Sequence, residues 1–188
     1  SRLVGSEMGI RDSDVLDQTA IFCSFSKVTF GGGGLSFAAA GVKLFNLLVR
    51  QRASMIVCSD KVNQMRHLEF LKNKKDILHH MSKHADLVKP KFEIAFKALD
   101  SLGSEIGSYN KPTGGYFISY NTSKPITKRV IALCKEAGVL ITPAGSTYPH
   151  FEDPTDSNIR LAPTFLDLED LKDAMEVFTT SLQIAFAE

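Results

Sequence analysis

At 188 residues the chain has room for one or two domains and a packed core, and 44% hydrophobic against 23% charged residues is an ordinary globular balance. A formal net charge of +1 leaves no electrostatic case for nucleic acid or an anionic membrane surface, and no apolar run approaches bilayer length. The three cysteines, Cys23, Cys58 and Cys134, are scattered and odd in number, which argues against a disulfide frame or zinc site and reads as reduced, buried thiols of a cytoplasmic protein.

The first stretch, Ser1 to Gln18, is polar and without periodicity, and is expected to be a surface segment. It begins at serine and carries no signal-peptide pattern, so a trimmed start or a fragment of a longer chain is expected. Thr19-Ala20-Ile21-Phe22 is a short apolar run of strand type, and Leu35 to Gly41 is a second one. Between them lie Cys23-Ser24-Phe25-Ser26-Lys27-Val28-Thr29-Phe30 and the glycines 31–34. Gly41 to Met55 reads as a helix and Ile56-Val57-Cys58 as a brief extended piece.

Ser59-Asp60 is a good helix N-cap. Val62, Met65, Leu68 and Leu71 follow at near-helical spacing, and Leu78, Met81, Ala85 and Val88 resume it. Pro90 is expected to kink or divide the helical stretch beyond it, and Phe92 to Leu102 form a further amphipathic stretch ended by Gly103. His80 and His84 are four apart with His79 adjoining, a conceivable metal pair. With Lys83 beside them and no third ligand in pattern, a solvated helix face is the simpler reading.

From Lys111 the elements shorten. Tyr116 to Tyr120 reads as a strand, Ile126 to Ala137 as a helix stopped by Gly138, and Val139 to Thr142 as a strand. Ser146 to Ser157 is a polar loop, and Asn158 to Pro163 a strand with Ile159 and Leu161 on one face and Arg160 on the other. Asp167 caps a last helix with the stripe Leu168, Leu171, Met175, Phe178, Leu182 and Ala185. The expected fold class is α/β passing into α+β, ending in a small domain with helices over a mostly antiparallel sheet.

Chemistry centres on Lys27. A lysine at a strand end among small and apolar neighbours can be desolvated and supply a neutral amine, while Ser24, Ser26 and the glycine amides suit a phosphate. Lysine plus phosphate cradle points to pyridoxal phosphate. A glycine cluster between two strands is more often only a turn, however, with a solvated lysine on it. Neither G-x-x-x-x-G-K-[ST] nor G-x-G-x-x-G opening a helix is present.

Ser24-Phe25-Ser26-Lys27 resembles the S-x-S-K signature around the cofactor-bonding lysine of class I/II, fold-type I, pyridoxal-phosphate aminotransferases. Asn63-Gln64-Met65-Arg66-His67, Gly114-Gly115-Tyr116-Phe117, Thr142-Pro143-Ala144-Gly145 and Asn158-Ile159-Arg160-Leu161-Ala162-Pro163 are similar, in order, to the MocR-like branch, which includes aspartate aminotransferases. The resemblance implies pyridoxal 5′-phosphate bonded to Lys27, with Ser24 and Ser26 near its phosphate. It implies Arg160 forked onto the substrate α-carboxylate, a contact lysine cannot duplicate.

It further implies amino acid and 2-oxo acid substrates and a cytoplasmic homodimer, with no nucleic acid, membrane or metal. The domain division it implies is 1–58 as the tail of a large cofactor-binding domain, 59–103 as a helical connector and 104–188 as a small C-terminal domain. Leu35 stands where the wider class carries a phosphate-binding arginine, and the ring-nitrogen aspartate has no match before Ser24, so a C-terminal fragment is expected. Rival readings are the ligand-sensing domain of a MocR-type transcription regulator and a truncated product without turnover.

Overall fold

The computed structural model describes residues 18–188, so all of the polar first segment but Gln18 lies outside the described residues. The chain divides into two compact units, one running up to Ala85 and the other from Asp86 to Glu188.

In the first unit, β1 (Ala20–Ser24) pairs antiparallel with β2 (Ser36–Ala40), in the register Ala20 to Ala40 and Ser24 to Ser36. Helix α1 (Val42–Met55) follows directly. Ile56 leaves it in extended conformation, but residues 56–58 join no strand. Asp60 caps α2 (Lys61–Phe70), accepting from the Asn63 amide at 2.9 Å.

The apolar spacing of α2 pointed to a buried stripe, and the structure inverts it. Val62, Met65 and Leu68 are each more than 60% exposed, while Asn63 and His67 are buried. The cause is local: the elements before α2 present it with main-chain carbonyls, which need donors rather than methyl groups. Cys23 and Cys58 are exposed, against expectation, and only Cys134 is buried.

The helical connector breaks at residues 71–73 rather than at Pro90. Asn73 Oδ1 caps the next helix, accepting from the amides of Lys75 and Asp76 at 2.8 and 3.2 Å. That helix, α3 (Lys74–Asp100), runs through Pro90 without interruption. Proline lacks the N–H that would bond the carbonyl of Asp86, but Asp86 is exposed and water can take that acceptor.

The second unit holds a three-stranded antiparallel sheet, β3 (Gly107–Tyr109), β4 (Ile118–Thr122) and β5 (Asn158–Leu161), in the order β3-β4-β5. Helices α4 (Thr127–Glu136) and α5 (Leu168–Ala187) complete its core. The core face of the sheet carries Ile118, Tyr120, Ile159 and Leu161, with Tyr120 edge-on to Phe178 of α5 at 6.1 Å. Asp167 caps α5 as expected, accepting from the amides of Glu169 and Asp170.

Gly138 stops α4 at φ +87°. Residues 139–142, expected as a strand, form none, and β3 is the sheet's third strand instead. The observed class is mixed α/β with small antiparallel sheets, as the sequence indicated.

Candidate active site

Lys27 stands three residues beyond the end of β1, on a turn closed by its own backbone. Phe25 N donates to Leu35 O at 2.8 Å, extending the hairpin by one bond. The amides of Val28 and Thr29 both donate to Phe25 O, at 2.9 and 3.1 Å, which winds residues 25–29 into a helical turn. Lys27 is exposed there, so the described residues do not supply the desolvation expected for its amine.

The two serines lie on one side of that turn. Ser24 Oγ is 2.6 Å from Ser26 Oγ and accepts the Ser26 amide at 3.0 Å. Both are exposed, so each hydroxyl can rotate to donate outward when an acceptor arrives. Gly34 closes the turn against Ser26 so tightly that a Cβ there would overlap the hydroxyl. Leu35 serves the hairpin through its carbonyl.

His80 does not lie on a solvated helix face. It is half-buried, with Nε2 against the carbonyl of Val28. Among the described residues no group of three or more His, Cys, Asp or Glu is placed to hold a metal.

Arg160 belongs to the second unit. It lies opposite Ser119 in the β4–β5 pair, on the face away from the core residues. Its Cζ sits 4.9 Å from the centre of the Phe117 ring. Its Nε is buried without a hydrogen-bond partner among the described residues. A buried guanidinium N–H in that condition is able to donate to an anionic acceptor.

Asn158, two residues earlier on the same face, is fully bonded. Its Nδ2 donates to Ser119 Oγ at 2.8 Å and Asn121 Oδ1 at 2.7 Å, and its Oδ1 accepts from Thr147 Oγ1 at 2.7 Å. The loop leading into β5 is gathered by Asp153, which accepts from the amides of Thr155, Ser157 and Asn158. Partial burial pushes the Asp153 carboxyl up, but those amides and the Thr155 hydroxyl outweigh it and bring it down to about 2. Phe117, Asn158 and Thr147 were not singled out as partners of Arg160 by sequence. The readable signal was the alternation that puts Ser119, Asn121, Asn158 and Arg160 on one face.

The profile of the aspartate amino-transferase family matches residues 8–188. The chain belongs to that family. A protein of Mycolicibacterium smegmatis named as an aminotransferase is 40% identical over 170 residues, covering 89% of this chain and 40% of the relative. The aspartate aminotransferase of Corynebacterium glutamicum is 36% identical over 169 residues, covering 89% of this chain and 39% of the relative. The crystal structure of an aspartate transaminase from Corynebacterium glutamicum superposes with a TM-score of 0.80 at 34% identity, over 88% of this chain and 40% of that one. This family member therefore spans about two fifths of the length of the curated relatives it matches.

Proposed function

We propose that this chain is the C-terminal portion of a pyridoxal-phosphate-dependent aminotransferase that moves the amino group of an amino acid, aspartate by preference, to a 2-oxo acid. One observation carries the reading: within a chain of this family, Lys27 stands on a backbone-closed turn with a hydroxyl pair beside it. The preference for aspartate leans on relatives called aspartate aminotransferase at more than a third identity. The MocR-like branch, the cytoplasmic homodimer and the division at 1–58, 59–103 and 104–188 belong to the same proposal.

The donor set suits the cofactor. A primary amine fits its aldehyde end, and two outward-turning hydroxyls 2.6 Å apart fit its phosphate end. When bound, pyridoxal phosphate supplies an electron sink for breaking bonds at the amino acid Cα.

The rest falls to this chain. Lys27 Nζ would hold the cofactor at its aldehyde end and, as a free amine, would take up the proton from Cα. Ser24 and Ser26 donate to the phosphate. Arg160 binds the α-carboxylate through Nε and a terminal nitrogen, and the Phe117 ring keeps the guanidinium plane in place. Asn158 holds β5 to β4 beside it.

Turnover is the test. The full-length protein, given aspartate and 2-oxoglutarate with the cofactor, is expected to form glutamate and oxaloacetate. Failure to transaminate with dicarboxylic, aromatic and branched donors alike overturns the proposal.

A further inference from the structure

We infer that Asn63 and His67 are positioning residues for Lys27, fastening the turn that carries it to helix α2. The inference rests on the reading of Lys27 as the cofactor-bonding lysine. Among the described residues up to Ala85, Asn63 and His67 are the only fully buried ones, at 9% and 4% exposure. Burying an amide and an imidazole while Val62, Met65 and Leu68 of the same helix face outward is costly unless the polar atoms are bonded.

Three of their side-chain bonds lead to the turn. Asn63 Nδ2 donates to the carbonyls of Gly33 at 3.0 Å and Gly34 at 3.1 Å, using both amide hydrogens. Its Oδ1 is buried without a hydrogen-bond partner among the described residues and lies 3.3 Å from where a Cβ on Gly33 would stand, so the side-chain amide is held through its Nδ2 alone. His67 Nδ1 lies 2.9 Å from the carbonyl of Asn63, a pure acceptor, so that nitrogen carries a hydrogen. His67 Nε2 is then the acceptor for the Thr29 hydroxyl at 2.8 Å, whose one hydrogen has the carbonyl of Phe25, at 3.2 Å, as its alternative. The Phe30 ring packs edge-on to His67 at 5.0 Å, and His80 of α3 adds an anchor at the carbonyl of Val28.

Residues 25 to 34 are therefore tied down on both sides of Lys27. A plain turn has no use for this. The amides of Val28 and Thr29 already close it on Phe25 O. The added Asn63 and His67 bonds fix where the Lys27 backbone stands while its side chain stays exposed, which is the requirement for a group that must meet one reacting atom repeatedly.

The test uses the full-length holoenzyme and four substitutions. Asn63→Asp keeps the shape but turns an acceptor oxygen toward two carbonyls. His67→Leu removes the bond to Thr29, His67→Gln keeps a polar atom near the place of Nε2, and Thr29→Val removes the same bond from the turn side. Three quantities are read: the lysine modified on borohydride reduction, the pH midpoint of the cofactor's visible absorption band, and kcat against KM for one donor.

The expected result is cofactor on Lys27 throughout, with the band midpoint displaced by about one pH unit and kcat down about ten- to a hundredfold in Asn63→Asp and His67→Leu. KM stays within about threefold, because substrate binding is not what the turn fixes. His67→Gln restores most of the loss, and His67→Leu with Thr29→Val together lose no more than either alone.

Cofactor on Lys27 with an unmoved band and unchanged kcat overturns the positioning role alone. A lower melting temperature without those changes does so too, since it marks a merely structural contact. Cofactor on a different lysine overturns the reading of Lys27 and this inference with it. If Asn63→Asp does not fold, Thr29→Val alone decides, since it leaves α2 untouched.

Discussion

The guanidinium of Arg160 lies across the ring of Phe117 with its Cζ 4.9 Å from the ring centre, and its Nε is buried without a partner among the described residues. The ring packs against the group and leaves its Nε donor unspent among the described residues. Arg160→Lys in the full-length enzyme is expected to cost on the order of 2–4 kcal/mol in kcat/KM for every amino donor and 2-oxo acid, since all share the α-carboxylate. Steady-state kinetics with two donors of different side chain check it. Equal losses with intact cofactor loading are expected, and a loss confined to the dicarboxylic donor moves Arg160 to side-chain recognition.

Lys27→Ala is expected to remove covalent cofactor attachment and to lower kcat by on the order of 10²–10⁴, the range for losing a positioned general base. Borohydride reduction with peptide mapping, beside a transamination assay, measures both effects. Retained attachment at another lysine with full turnover contradicts the assignment.

Gly34→Ala puts a methyl group into the space of the Ser26 hydroxyl. Overpacking of this kind costs about 1–3 kcal/mol, and here the turn must shift to accept it. Adding Ser26→Ala is expected to recover part of the loss only, because the Ser26 Cβ would still lie 3.1 Å from the new methyl. Thermal unfolding of the two variants gives the comparison.

Asp153 makes stability depend on pH. Its carboxyl lies at about 2 in the folded chain, below its ordinary 3.8, so the folded state favours the charged form. That contribution is fully present above the ordinary value and is lost as pH falls from there through about 2. Asp153→Ala, which leaves three amides without their acceptor, is expected to cost about 1–2 kcal/mol at neutral pH, the range for losing a local carboxylate cap. The difference from wild type should shrink below pH 4. Melting temperatures of both proteins across pH 2–7 measure it.

The 188-residue chain alone is expected to bind pyridoxal phosphate weakly and not to transaminate, since its lysine and serines are only part of a first shell. Absorption spectra on mixing, with an aspartate plus 2-oxoglutarate assay, report on this. Steady turnover without another polypeptide contradicts the proposal that the chain is a portion of the enzyme.

Capping and alternation were legible. Asp60 and Asp167 announced two helix starts, Gly138 one helix end, and the alternation around Arg160 its face on the sheet. Pairing was less so. Val139 to Thr142 has strand composition but finds no partner strand, whereas Gly107–Tyr109 has little and is recruited by β4 through the pairing of Tyr109 with Tyr120. The orientation of α2 was the largest misreading. Apolar spacing says which residues share a face, not whether the structure around that face offers side chains or carbonyl oxygens. The break at residues 71–73 was hidden for a related reason: the asparagine cap is a weaker signal than a proline, yet it decided the boundary.

That inverted helix has a bearing on how the chain behaves in a tube. Val62, Met65 and Leu68 leave greasy area in water, and Phe22, Val42 and Met55 add to it within the same unit. With a formal charge of +1 and an isoelectric point near 7.7, copies of the chain at neutral pH have little mutual repulsion to hold them apart. Preparations of these 188 residues should therefore cloud most readily near neutrality, and moving the buffer a few pH units either way should clear them more effectively than adding salt.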